Sequence, residues 1–312
     1  MHRWSVCTYK SFCGVADDHH YLQVVLPQCA LQYDFLLHGI LAASSLDIAM
    51  PEIPQDESRS IEYAKMAMEY YGKASVSFRR QLSNVTQDNV HCIYMFSVIA
   101  FCINLALTQC TDLSLDKQQS LLDRVPVLFE LGLAPKSFIV AYPEWMLNSP
   151  VSKSFKTAAS LCKEPGPELD TSTEEAIVRL ETIIEDATGI TEEWELQIYR
   201  KSVLGLRSCY VEDKRDLIAG FCIAFPTIAG KEFATEVENL KPIALLILMH
   251  WAVSLHRFGI VAWWVRCIGS KLVEETSDTL KAFHPDLTES QLYKDGIYWA
   301  RNGVGLSNLE PY

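Results

Sequence analysis

Much of what would mark a familiar enzyme is missing from this sequence. There is no glycine-rich phosphate loop, no G-x-S-x-G and no H-E-x-x-H. Those absences remove P-loop nucleotide chemistry, nucleophile-elbow hydrolysis and helix-borne zinc proteolysis. Gly303-Val-Gly305 is only a G-x-G and follows no strand pattern, so it is no dinucleotide fingerprint. The D-D-x-x-D of ordinary isoprenoid cyclases is missing as well, because Asp17-Asp18 runs on into His19-His20-Tyr21. Positive charge is scarce. The chain carries 27 Lys and Arg against 39 Asp and Glu, a net charge of −12. Direct nucleic-acid binding needs a basic footprint and is therefore not expected. There is no basic leader followed by an apolar core and a cleavage site, so secretion is not expected. No uninterrupted apolar run reaches the length of a bilayer, so no membrane span is expected. Sustained strand alternation and fixed-period repeats are also absent.

The ten cysteines stand at 7, 13, 29, 92, 102, 110, 162, 209, 222 and 267. None forms C-x-x-C, and no Cys/His group has zinc-ligand spacing along the chain. Most lie in apolar helical context, as Cys92 and Cys102 do. Buried free thiols in a reducing compartment follow, which points to a cytoplasmic location.

What is present is helical periodicity in a chain that is 49% hydrophobic. Phe35, Leu36, Gly39, Ile40, Ala43 and Leu46 share a buried face, with His38 as a core histidine. Ser58 to Leu82 and Asn89 to Leu107 read as further helices, the second almost wholly apolar. Asn104 on that helix needs a partner or a ligand. Asp112 and Asp116 could share a helix face as a cation pair or simply as a solvated surface. Leu121 to Leu133 is amphipathic, and 135–150 reads as irregular. Lys163 to Thr173 is linker-like, and Ser172-Thr-Glu-Glu175 has the form of a capping box. Helices follow over 176–187, 192–210 and 214–224, then 261–280 and 287–299. The expected fold is all-α. It is one helical domain over residues 1–312, with two halves joined near 163–173 and a hydrophobic helix at its centre.

That central helix starts at Lys241-Pro242 and runs through Trp251 and His256. Pro242 suits a first turn. His250, Arg257 and Arg266 interrupt the apolar run where lipid would forbid them. A lysine at a helix N-terminus is a physical place for an anion. Trp251, Trp263, Trp264, Phe258, Tyr298 and Trp299 could be core. They could equally line a pocket whose π-faces hold a sterol or steady a carbocation.

From Leu26-Pro-Gln-Cys-Ala-Leu-Gln-Tyr-Asp-Phe-Leu-Leu-His-Gly-Ile-Leu-Ala-Ala-Ser-Ser-Leu-Asp-Ile-Ala49, the chain resembles the regulatory, ligand-binding domain of fungal zinc-cluster transcription factors of the sterol-uptake-regulator group. The resemblance continues at Phe78-Arg-Arg-Gln-Leu82, Thr86 to Ser97, Pro242 to Val253 and Trp263-Trp264. These are hydrophobic-helix patterns, which identify a scaffold better than an activity. The family implies a deep lipophilic pocket. The chain starts directly at that domain, with no six-cysteine zinc cluster, basic linker or coiled coil, so no DNA-binding part is expected. The scaffold also looks similar to fungal humulene-type sesquiterpene cyclases that lack the aspartate motif. That second likeness implies farnesyl diphosphate held by Mg2+ and an essential lysine in fungal secondary metabolism. Lys241 matches that lysine. Glu238 and Asn239 are the candidate metal ligands. Arg266 and Arg301 are the candidate diphosphate contacts, and Trp251, Trp263, Trp264, Tyr298 and Asn104 the substrate-lining set. Two expectations therefore stand side by side. One is an Mg2+-dependent terpene cyclase, favoured by the lack of a DNA-binding part. The other is a non-catalytic sterol or lipid sensor, nuclear if it belongs to a transcription factor. A homodimer is compatible with both.

Overall fold

The structure, a computed structural model, describes residues 1–50, 57–110, 120–161, 165–189 and 191–306. Pro51 and Pro54, the Asp112 and Asp116 pair, Cys162 to Glu164 and Glu310 lie outside the described residues. Within them the fold is all-α, and the only strand-like feature is an isolated bridge between Thr188 and Thr191. The longer helices are α1 (Asp34–Ala49), α2 (Glu57–Gln81), α3 (Val90–Leu107), α4 (Leu121–Ala141), α5 (Ser152–Leu161), α6 (Thr171–Asp186), α7 (Glu193–Arg215), α8 (Lys231–Glu238), α9 (Pro242–Phe258), α10 (Ile268–Phe283) and α11 (Gln291–Gly303).

α1 lies along α2, and both meet α3. Gly39 lets α1 sit close to α3, since a Cβ there would fall 2.8 Å from the Phe96 ring. α9 is the hub of the second half and touches α6, α7, α8, α10 and α11. α4 bridges the halves by packing on α3, α8 and α10. The buried side chains form one continuous cluster from Trp4 to Val304. α3 has the length and hydropathy of a membrane span, with a mean hydropathy of 2.0. However, 78% of that stretch is buried inside the fold, as expected for a core helix.

Local boundaries depart from the sequence reading where tertiary contacts outweigh breakers. α4 runs through Pro126 and Pro135 to Ala141 instead of stopping at Leu133. Each internal proline costs about 3 kcal/mol of helix. Burial of Leu128, Phe129 and Phe138 opposes that cost. The Gly132 carbonyl, close to the second proline, accepts from the Thr227 hydroxyl at 2.7 Å. α7 continues to Arg215 and ends on Asp216, whose φ of 56° is a left-handed cap that aspartate tolerates. No helix spans 214–224; a short 3-10 turn covers Phe221–Ala224. The cap of α6 is Asp170 rather than Ser172. Its carboxylate accepts the Thr173 backbone N–H at 3.0 Å and the Thr173 hydroxyl at 2.8 Å. After α9 the chain folds back on itself at Gly259, where a Cβ would meet the Arg266 backbone at 2.9 Å. Trp263 and Trp264 therefore ride on a 3-10 turn, Trp263–Val265, and not on a helix over 261–280. The last helix likewise begins at Gln291, after a short Pro285–Thr288 turn. α10 starts hard against α9, and a Cβ on Gly269 would lie 2.4 Å from the Ala252 carbonyl oxygen.

Candidate functional site

The middle of α9 is packed solid. Trp251 is 1% exposed. Its ring meets Phe129 at 5.7 Å and Phe225 at 5.4 Å between centroids, and Phe233 closes the group against Phe129 and Phe225. The indole N–H donates to the Cys222 carbonyl at 2.8 Å. His250 is fully buried and stacked on Trp299, with centroids 4.8 Å apart at 12°. Its Nδ1 faces the Leu246 carbonyl at 2.7 Å, which makes Nδ1 the protonated nitrogen. Burial is the main force pushing the His250 pKa down to about 4; Arg179 adds to it, and the Leu246 bond opposes it. Nε2 is buried without a hydrogen-bond partner among the described residues.

The residues expected to form a diphosphate site do not converge. Lys241 stands at the N-cap of α9, and its ammonium pairs with Glu195 at 2.9 Å. The lysine side chain is 41% exposed. Glu238 and Asn239 are exposed at the end of α8. Arg266 follows the far end of α9. A helix of that length places Lys241 and Arg266 about 25 Å apart along its axis. Arg301 is buried on α11, where it donates to the Ser277 hydroxyl at 2.7 Å. The aromatics are dispersed too. Trp264 is buried and donates to the Ser11 carbonyl at 3.1 Å. Trp263 and Tyr298 are half-buried. Asn104 is taken up by its own surroundings and donates to the Tyr71 hydroxyl at 2.7 Å and the Ala100 carbonyl at 2.8 Å. An apolar hollow of about 310 Å³ does lie at the foot of α9, walled by Pro242, Ile243, Leu287, Leu292 and Tyr293. Lys241 does not line it.

A different group of residues builds a cleft at the other end of α9. It has a volume of about 440 Å³. Its polar lining includes Asp213 from α7 with Ser254 and Arg257 from α9. The Ser254 hydroxyl donates to Asp213 Oδ2 at 2.7 Å, and the Cys222 N–H donates to Oδ1 at 3.2 Å. Burial raises the Asp213 pKa, against those two bonds and the Arg257 charge. The Arg257 guanidinium lies 5.6 Å from the Tyr210 ring centroid. The Tyr210 hydroxyl donates to the His250 carbonyl at 2.5 Å, which ties the cleft to the core. The apolar wall is Leu169, Ile218, Phe258 and Val261. Gly220, with φ of 67°, leaves room for the Phe258 ring, since a Cβ there would sit 2.3 Å from it. Asp170, Thr173, Lys214 and Asp216 line the cleft as well, so it mixes charged and hydrogen-bonding groups with apolar side chains, which is binding chemistry for an amphipathic molecule.

Sequence reasoning missed this cleft because its residues come from three separate segments. The one available signal was Arg257, a charge at the end of an apolar helix. Sequence reasoning also missed a Cys29, His91 and Cys92 group, which the fold brings together from positions far apart in the chain. The Asp17 to His20 stretch forms no comparable group. Asp17 pairs with Lys153 at 3.5 Å, and the His19 ring stands edge-on to Tyr9.

No protein-family model, curated protein or solved structure matches the chain.

Proposed function

We propose that this chain is a non-catalytic helical domain that binds a small amphipathic ligand of the sterol or lipid class. The observation that carries the reading is the cleft lined by Asp213, Ser254 and Arg257 together with the apolar side chains of Leu169, Ile218, Phe258 and Val261. A hydroxyl head group has donors and acceptors in the first three, and the hydrocarbon body has Phe258 and Val261 to lie against. The sensor reading is preferred to the cyclase reading on the same grounds. Ionising a diphosphate needs cations gathered around the leaving group, whereas Lys241 is engaged by Glu195 and Arg266 belongs to the opposite end of α9.

Titration with a fluorescent sterol tests the proposal. Saturable binding at one site is expected, weakened at least tenfold by Val261→Asp, a change at an exposed rim position. Binding that ignores Val261→Asp and Arg257→Ala would remove the cleft from the reading. Incubation with farnesyl diphosphate and Mg2+ is expected to leave the headspace free of hydrocarbon. Hydrocarbon formation would restore the cyclase.

A further inference from the structure

At the start of α3, three groups that can ligate a metal meet. Cys29 comes from the short Leu26–Ala30 helix, and His91 and Cys92 come from the first turn of α3. Their ligand atoms all lie within 4.8 Å of one another. His91 Nδ1 is 3.3 Å from Cys92 Sγ and 3.2 Å from the Tyr21 hydroxyl oxygen. A tetrahedral zinc ion holds sulfur at about 2.3 Å and imidazole nitrogen at about 2.05 Å, which places the two ligand atoms about 3.6 Å apart. The separation of Nδ1 and Cys92 Sγ is within a few tenths of an ångström of that requirement, and the Cys29 sulfur lies within 4.8 Å of both residues' ligand atoms. Tyr21, beside Nδ1, stands where a fourth ligand or an outer hydrogen-bond donor would be.

The chemistry agrees with the spacing. Cys92 Sγ lies 3.3 Å from Nδ1 and 3.9 Å from Nε2, beside the ring face, so a turn of the His91 ring would bring Nδ1 onto an ion shared with the two sulfurs. A cation in their midst would use the nitrogen and both sulfurs together. Cys29 is only half-buried, which gives an ion a way in, while His91, Cys92 and Tyr21 are buried.

We infer that Cys29, His91 and Cys92 form a binding site for a thiophilic cation of the Zn2+ class, with the Tyr21 hydroxyl or a water as fourth ligand. On binding, each cysteine releases its thiol proton and His91 coordinates through Nδ1 with its proton on Nε2. One divalent cation thus displaces two protons. Such an ion would clamp the segment before α1 onto α3. This site is independent of the ligand cleft.

Cobalt titration of the reduced, metal-free protein tests it. The expected result is a thiolate-to-cobalt charge-transfer band with tetrahedral ligand-field bands, saturating at one equivalent and abolished by Zn2+. Cys29→Ser and His91→Gln should each weaken uptake by more than about tenfold, while the exposed Cys267→Ser should leave it unchanged. Circular dichroism checks that the variants fold. Should one fail to fold, protection of Cys29 from alkylation by Zn2+ in the unaltered protein reads the same site. Absence of the thiolate band, or a band unchanged in Cys29→Ser, would overturn the site. So would a Cys29–Cys92 disulfide formed with peroxide in a protein that takes up no metal, which would make the pair redox-active instead.

Discussion

The middle of α9 and its two ends are built from one helix but behave differently. In the middle, Trp251 and His250 meet Phe129, Phe225 and Trp299, and the aromatic surface is used up in mutual contact. At the ends, charged groups reach the surface. Lys241 pairs with Glu195 at one end, and Arg257 lies over Tyr210 beside a cleft at the other. Aromatic enrichment on a buried helix therefore signals packing first. The place to look for ligand chemistry is where such a helix emerges from the core and a polar group still faces open space.

The largest test of this contrast is Trp251→Ala. It should cost about 3–5 kcal/mol through lost burial and a residual cavity, read as a fall in the midpoint of chemical denaturation. A cost under about 1 kcal/mol would mean that the middle of α9 is not close-packed.

A second test uses acid. His250 is held neutral in the fold with a pKa near 4, whereas the unfolded side chain titrates near 6.5. Between those values the unfolded state binds a proton that the folded state refuses. Stability is thus fully present above about pH 6.5 and falls as the pH drops toward 4, by on the order of 3 kcal/mol. Unfolding measured at several pH values should show that slope, and His250→Gln should lessen it, leaving the share of His91 and His256, which burial also holds low. An unchanged slope in the variant would place the titration elsewhere.

The ends should respond more mildly. Asp170 caps α6 at the rim of the cleft, and Asp170→Ala should cost about 1 kcal/mol. Lys241→Ala should cost well under about 1 kcal/mol, as partly exposed ion pairs generally do. A loss of several kcal/mol at Lys241, seen in thermal or chemical unfolding, would show that this end of α9 is tied into the core after all.

How much of this was readable beforehand follows from where the information sits. α1, α3 and α9 are strongly apolar over whole turns, and periodicity alone locates them. Pro135 misleads because the contacts that hold α4 together come from α3, α8 and α10, far away in sequence. Trp263 and Trp264 mislead for the opposite reason. Their pattern suits a helix, but the chain reverses at Gly259 to bring Arg266 back. The site was the least legible part. Lys241, Glu238 and Asn239 are close in sequence, and that closeness drew them into one hypothesis. Asp213 with Ser254, and Cys29 with His91, are close only after folding.

Gly269 carries one more implication. A Cβ there would lie 2.4 Å from the Ala252 carbonyl oxygen and 2.5 Å from the His256 amide nitrogen, far inside van der Waals contact, so the seam between α9 and α10 has no slack at that point. Even a methyl group there would wedge the two rods apart. Ser254 and Arg257 ride on the same helix within two residues of those contacts, so a displacement of α9 at Gly269 would carry the polar groups of the cleft with it.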